Sequence, residues 1–127
     1  MSVKDDYLPK AQAALASIQA QLDELRVQAD LAQAEARDRL QQGIAELRKR
    51  QAEVKVKLDE AQQAGADSWK VVATQAEQAV DSLGDALSKL GEEVQAAGGA
   101  AAKGWKTFLD EWNKNRAERE KILETES

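Results

Sequence analysis

The hexapeptide AGADSW, residues 64–69, divides the chain into two helical arms. Gly65 is suited to the left-handed backbone conformation that ends a helix, and Asp67 or Ser68 is suited to capping the next helix. Apolar residues recur at helical spacing on both sides of this stretch. We therefore predict a single helical domain with a helix over about residues 9–63, a turn at 64–67 and a second helix over about residues 68–124.

The first arm carries a heptad seam, in which apolar residues alternate at steps of three and four. This seam consists of Leu8, Ala11, Leu15, Ile18, Leu22, Leu25, Ala29 and Ala32. Ala36, Leu40 and Ile44 then follow at steps of four, which we interpret as a stutter inside one uninterrupted helix. Pro9 suits the first turn of that helix, where its missing N–H costs no hydrogen bond.

The second arm carries its own seam, which starts at Trp69. The seam continues in one phase through Val72, Ala76, Val80, Leu83, Leu87, Leu90, Val94, Gly98, Ala101, Trp105, Phe108 and Trp112. Each glycine of the pair Gly98-Gly99 costs about 1 kcal/mol relative to alanine in a helix, so a kink or break there stays open. A break gives the alternative fold, a three-helix bundle with helices near residues 9–63, 67–97 and 100–124.

Charge and side-chain size match along the two arms when the chain folds back about the turn. Residues 37–57 then lie opposite residues 75–95, and seven basic and three acidic residues face five acidic residues and one basic residue. The alanine-rich residues 29–36 lie opposite residues 96–103, which are equally small. The predicted fold class is therefore all-α, a long antiparallel helical hairpin of the coiled-coil type.

Gly84, Gly91 and Gly98 repeat every seven residues and leave a smooth line along the second arm. Such a line can admit a further helix, and a hairpin by itself buries only a thin apolar stripe. We therefore predict a homodimer that forms a four-helix bundle.

The segment KGWKTFLDEW, residues 103–112, holds most of the aromatic residues of the chain. Trp105, Phe108 and Trp112 share one helix face, which favours packing in a helical core near Ile18, Leu22 and Leu25, or at a dimer interface. The same face is also compatible with binding a protein partner. With Lys103, Lys106 and Lys114 beside it, the segment further resembles a helix that lies on a lipid surface.

The composition excludes several kinds of chemistry. The chain has no cysteine and no histidine, so it lacks thiolate nucleophiles, the commonest general base and the commonest metal ligand. No motif indicates a catalytic residue, a cofactor, a metal or a small-molecule substrate. The net charge of -5 argues against nucleic-acid binding, and the basic residues 47–57 are expected to face acidic residues of the second arm. The N-terminus shows no secretory signal and no apolar run could span a membrane, so we expect a cytoplasmic protein.

Residues 7–37 and 44–72 resemble a group of short bacterial coiled-coil proteins of unknown function, some of them associated with stress, and the match covers roughly residues 7–90. The best feature of the resemblance is the turn Gly65-Ala66-Asp67-Ser68-Trp69. It implies a helical hairpin and no enzymatic activity, and the segment around Trp105 and Trp112 departs from the pattern of the group. A looser similarity links the amphipathic arms to apolipoproteins and phasins.

These observations favour a non-enzymatic coiled-coil scaffold or interaction protein that assembles as a homodimer. The alternative is a peripheral protein that binds a lipid or granule surface when its apolar seam opens.

Overall fold

The computed structural model describes residues 3–96 and 105–124, which form four α-helices and no strand. The helices are α1 (Val3–Asp30), α2 (Ala34–Gln63), α3 (Trp69–Ala96) and α4 (Trp105–Glu124). The predicted all-α fold and helical bundle are confirmed. Gly98-Gly99, where the sequence left a break open, lies outside the described residues.

The prediction of one uninterrupted helix over residues 9–63 is wrong, because the chain reverses at Leu31–Gln33. The N–H groups of Leu31 and Ala32 bond to the carbonyls three residues earlier, at 3.2 and 3.1 Å, and tighten the last turn of α1. Gln33 is extended (φ -62°, ψ 153°), and its carbonyl accepts the N–H of Arg37 at 2.7 Å as α2 begins. The steps of four that we interpreted as a stutter therefore follow a turn between two helices.

Pro9 also lies deeper in its helix than predicted. α1 begins at Val3, so Pro9 lies in the second turn, where a residue with an N–H group would normally donate a helical hydrogen bond. Tertiary contacts hold this end of the helix in place. The Nζ atom of Lys4 donates to the carbonyl oxygen of Ala64 at 3.1 Å, and the ring of Tyr7 packs edge-on against Trp69 at 6.0 Å between centroids.

The turn between α2 and α3 covers residues 64–68. Gly65 does not adopt the predicted left-handed conformation. The extended backbone of Ala64 (φ -66°, ψ 138°) ends α2 instead. The carbonyl of Gly65 accepts the N–H groups of Ser68 at 3.1 Å and Trp69 at 2.9 Å, so backbone bonds start α3.

Consecutive helices run antiparallel and form a four-helix bundle within one chain. The amide of Gln51 on α2 donates to Gln19 on α1 at 2.7 Å. The predicted register of α2 and α3 is correct, since Arg50 lies 3.4 Å from Ser82. Among the described residues α1 and α3 also touch across the bundle, whereas α2 and α4 do not. Helices of 28 and 30 residues make a bundle about 45 Å long, which is shorter than a hairpin of two unbroken arms.

The core is a narrow column of leucine, isoleucine, valine and alanine side chains. The aromatic rings that belong to it lie on α1, α3 and α4. Ile18, Leu22, Leu25 and Leu87 have 0 or 1% of their surface exposed. The folding back of α1 explains this burial, because among the described residues α1 and α3 then each contact three helices, and α2 and α4 each contact two. None of the described helices has the length and apolar character that a membrane span requires.

Candidate functional site

The aromatic stripe of α4, made of Trp105, Phe108 and Trp112, lies inside the bundle. These side chains are 9, 5 and 6% exposed. Their rings stack in sequence, with centroid separations of 5.5 Å and 6.0 Å. The spacing of three and four residues places them on one face of α4, and that face points at α3.

Two glycines of α3 receive the two tryptophans. A Cβ atom added at Gly84 would lie 2.6 Å from Cε2 of Trp112, and one added at Gly91 would lie 2.7 Å from Cη2 of Trp105. Any larger side chain at these positions would overlap an indole ring. The glycine line thus admits a further helix, and that helix is α4 of the same chain. Gly98, the third member of the line, lies outside the described residues.

The predicted position of the stripe against α1 needs a correction in register. Lys10 on α1 contacts α4 through two bonds: its Nζ atom pairs with Glu118 at 2.6 Å, and its carbonyl accepts the amide of Asn115 at 3.2 Å. These partners lie about one to two helical turns closer to the start of α4 than the hairpin register predicts. The register fails because α1 is a separate helix that folds back along α2, so counting from residues 64–67 does not set its position.

A buried ionic cluster continues the same row of contacts between α3 and α4. Arg119 is fully buried and donates through Nη1 to Oε1 of Glu77, which is 7% exposed. The hydroxyl of Tyr7 donates to the same oxygen at 3.0 Å. The Nε atom of Arg119 donates to Asn115 at 2.6 Å, and its guanidinium lies 5.2 Å from the ring centre of Trp112. The cluster joins α1, α3 and α4.

Burial dominates the electrostatics of this cluster. It raises the pKa of Glu77 above the usual 4.5, although the neighbouring Arg119 opposes the shift. The second carboxylate oxygen, Oε2, is buried without a hydrogen-bond partner among the described residues, which also disfavours its charged form. Burial and the adjacent Glu77 raise the pKa of the Tyr7 hydroxyl, so this phenol stays protonated and donates its hydrogen bond.

We did not predict this cluster from the sequence, although a signal for it exists. Glu77 precedes Gly84 by seven residues, and Arg119 follows Trp112 by seven. The heptad row that pairs glycine with tryptophan therefore also pairs an acid with a base. The described residues contain no group of three or more side chains able to hold a metal ion. The contacts of Glu77 and Arg119 join helices to each other, which is a structural role.

The predicted ion pairs between α2 and α3 do not form among the described residues, although the register is right. Two acids of α3 contact α4 instead: Glu77 pairs with Arg119, and Asp81 lies 3.4 Å from Arg116. The nearest contact of an α2 cation with α3 is the bond from Arg50 to the hydroxyl of Ser82.

Several cations are therefore left on the outside of α1 and α2. We define the α1–α2 face as the exposed residues Arg26, Val27, Arg48, Lys49, Lys55 and Val56. Its four cations make no ion pair or hydrogen bond within residues 3–96 and 105–124. Arg26 and Arg48 line one depression between the two helices, and Lys55 lines the next. Val27 and Val56 are each 56% exposed. The face therefore combines unpaired positive charge with exposed apolar side chains.

Comparisons with known protein families, with curated proteins and with solved structures found no match for this chain. The resemblance to short bacterial coiled-coil proteins stays a prediction, and the function has to be argued from the geometry.

Proposed function

We propose that the protein is a non-enzymatic helical scaffold that binds a partner through its exterior while the bundle stays closed. The observation that carries this proposal is the position of the chemically distinctive residues. The aromatic stripe packs on Gly84 and Gly91, and the ionic cluster joins three helices inside the bundle. The α1–α2 face offers exposed cations without an ion pair among the described residues, together with two exposed valines.

The closed bundle changes what the aromatic stripe contributes to binding. Trp105, Phe108 and Trp112 reach a protein partner or a lipid surface only after α4 leaves α3. That step exposes three large rings and separates Arg119 from Glu77, which leaves two charged groups without their partner. Binding through the α1–α2 face requires neither the exposure of these rings nor the separation of Arg119 from Glu77, so we assign the interaction to that face.

Homodimerisation stays a prediction, although the packing that led us to predict it is supplied within one chain. A second copy was invoked to supply the helix that packs on the glycine line, and α4 supplies that helix. Sedimentation equilibrium over a range of protein concentrations tests whether two closed bundles still associate.

Site-specific crosslinking tests the proposed function. A photoactivatable phenylalanine analogue replaces Val56 on the α1–α2 face or, as the matched control, Val71, which is 61% exposed on α3. We expect light-dependent adducts in living cells from position 56 and none from position 71. The adducts should disappear when Arg48, Lys49 and Lys55 are changed to glutamine. Equal adducts from both positions, or adducts that survive loss of the cations, would refute the assignment.

A second candidate function, peripheral binding at a lipid or granule surface, is favoured by one specific observation. The α1–α2 face alternates cations with exposed valines, which is the pattern of helices that lie at a lipid–water interface. In this second function the α1–α2 face is again the binding surface, and its partner is a lipid or granule surface.

A further inference from the structure

We propose that the α1–α2 face docks on an anionic phospholipid surface and that the bundle stays closed when it does so. The inference rests on the proposed function, since it names the partner of the same face. It is based on three features: the positive charge of the face, the exposed valines beside the cations, and the elongated shape of two antiparallel helices.

Positive charge is concentrated in the middle of the face. Arg48, Lys49 and Lys55 lie in the middle of α2, whereas the nearby Arg50 and Lys57 pair with acids of α2 itself. Residues 11–22 of α1 beside them carry no charge. Two acids of α1 lie nearer its end and each accepts a hydrogen bond from a glutamine: Asp23 from Gln19 at 3.0 Å and Asp30 from Gln41 at 3.1 Å. The middle of the face is therefore basic in a chain whose net charge is -5. An anionic surface would attract this side of the molecule and orient it.

The apolar residues of the face suit shallow contact with lipid. Val56 lies among the α2 cations, and Val27 follows Arg26 on α1. Lysine and arginine can hold their charged ends at phosphate level while their stems and the neighbouring valines meet the outer acyl region. Helices of 28 and 30 residues side by side give an elongated surface of about 42–45 Å, which suits contact with an extended bilayer.

Other polyanionic or protein partners fit the face less well. Single-stranded nucleic acid is bound by stacking bases on exposed aromatic rings, and all five aromatic side chains of this protein are buried. A protein interface is usually anchored by aromatic residues or by a well-packed pocket, and the face offers valines and shallow depressions. A second copy with its equivalent face would bring like charges together. Charge complementarity thus favours the anionic bilayer.

Flotation of the full chain with phospholipid vesicles tests this inference. We expect binding to vesicles that contain phosphatidylglycerol and none to vesicles of phosphatidylcholine alone. Changing Arg48, Lys49 and Lys55 to glutamine should weaken binding about a hundredfold, since each cation near an anionic surface contributes roughly a fivefold change. The matched control changes Lys70, Lys106 and Lys114, which are exposed on α3 and α4, and should alter binding less than about fivefold.

Two further measurements separate lipid docking from its competitors. Val56→Ser should weaken vesicle binding about threefold or more and Val71→Ser should leave it unchanged, because Val71 is exposed on α3. Tryptophan emission should not shift on binding, since all three indole rings are already buried in the closed bundle. A shift in emission would show that the bundle opens, and it would overturn docking of the closed form.

Failure of the inference is distinguishable from failure of the proposed function. If anionic vesicles do not bind but position 56 still forms adducts that depend on the cations, the scaffold function stands and the lipid partner is wrong. If RNA is retarded in a gel and vesicles are not bound, the lipid inference is overturned in favour of nucleic acid. Equal loss of vesicle binding in the glutamine variant and in its control would show that total charge matters and that the face does not.

Discussion

Replacing Gly84 by alanine should destabilise the bundle, although the same change stabilises an ordinary helix. In an exposed helix interior alanine is favoured over glycine by about 1 kcal/mol. At position 84 the new methyl group would instead enter the space of the Trp112 ring, with its carbon 2.6 Å from Cε2 and 3.0 Å from Cη2. Carbon atoms in favourable contact lie about 3.5–4.0 Å apart, so the ring or the helix must move.

The side chains around Trp112 decide how much Gly84→Ala lowers the free energy of unfolding. Phe108 stacks on one side of the ring at 6.0 Å, and the guanidinium of the buried Arg119 lies 5.2 Å from the ring centre. The ring therefore has little room to move away from α3. Overpacking of this kind costs about 1–3 kcal/mol, and the cost should lie near the upper end because several ring atoms are involved. After subtraction of the helix propensity, Gly84→Ala should lower the free energy of unfolding by about 1–2 kcal/mol.

Two matched variants make this prediction specific. Gly43→Ala places its methyl group 2.8 Å from Cδ1 of Leu90, the mobile end of a flexible side chain, so we expect a neutral or stabilising effect of up to about 1 kcal/mol. In a Trp112→Leu background the obstacle at position 84 is gone, and Gly84→Ala should there become stabilising. Urea unfolding followed by far-ultraviolet circular dichroism gives all the values. An equal stabilisation by Gly84→Ala and Gly43→Ala in the otherwise unchanged chain would refute the packing of α4 on α3.

The ionic cluster and the first turn give the remaining predictions. Arg119→Leu should lower the free energy of unfolding by about 3–5 kcal/mol because it leaves Glu77 buried without its cation, and the double change Glu77→Leu/Arg119→Leu should recover most of that loss in the same urea assay. Because the folded pKa of Glu77 lies above 4.5, the stability that this carboxyl contributes is complete below pH 4.5 and is lost as the pH rises through the raised value. The free energy of unfolding should therefore fall with rising pH relative to that of Glu77→Gln, and parallel pH profiles would contradict the shift. Gln33 precedes α2 as its N-cap residue and makes no side-chain capping hydrogen bond. Gln33→Ser should therefore raise the free energy of unfolding by about 0.5–1 kcal/mol, and an unchanged value would mean that the serine forms no cap.

The pairing of α2 with α3 could be predicted from the sequence because two independent patterns coincide there. The second seam keeps a single heptad phase, and the basic residues 37–57 fall opposite the acidic residues 75–95. The register was right, but the physical reason was partly wrong. Apolar packing places Arg50 at Ser82, whereas the acids Glu77 and Asp81 pair with α4.

The turn at Leu31–Gln33 could not be predicted because its local sequence favours a helix. The segment contains no glycine or proline, and Gln33 is a poor cap. The reversal is stabilised at a distance, since it lets α1 bury its stripe against three other helices. The burial that α1 gains by packing on the other helices outweighs the local helix propensity of the turn. The residues of the turn therefore carry no sequence signal for it.

The row of contacts between α3 and α4 also explains why α4 has one register and why the aromatic stripe stays inside. A slip of one heptad towards the start of α3 would still place one tryptophan on a glycine. It would also bring Arg119 opposite Lys70 and leave Glu77 facing Trp112, so a buried cation would meet a like charge and a buried acid would lose its partner. The opposite slip separates Arg119 from Glu77 by the same seven residues. Size complementarity alone therefore allows more than one register, and the ion pair selects the one that is seen. Because that pair holds α4 on α3, the three aromatic rings stay inside the closed bundle, and this is why we assign the proposed interaction to the α1–α2 face.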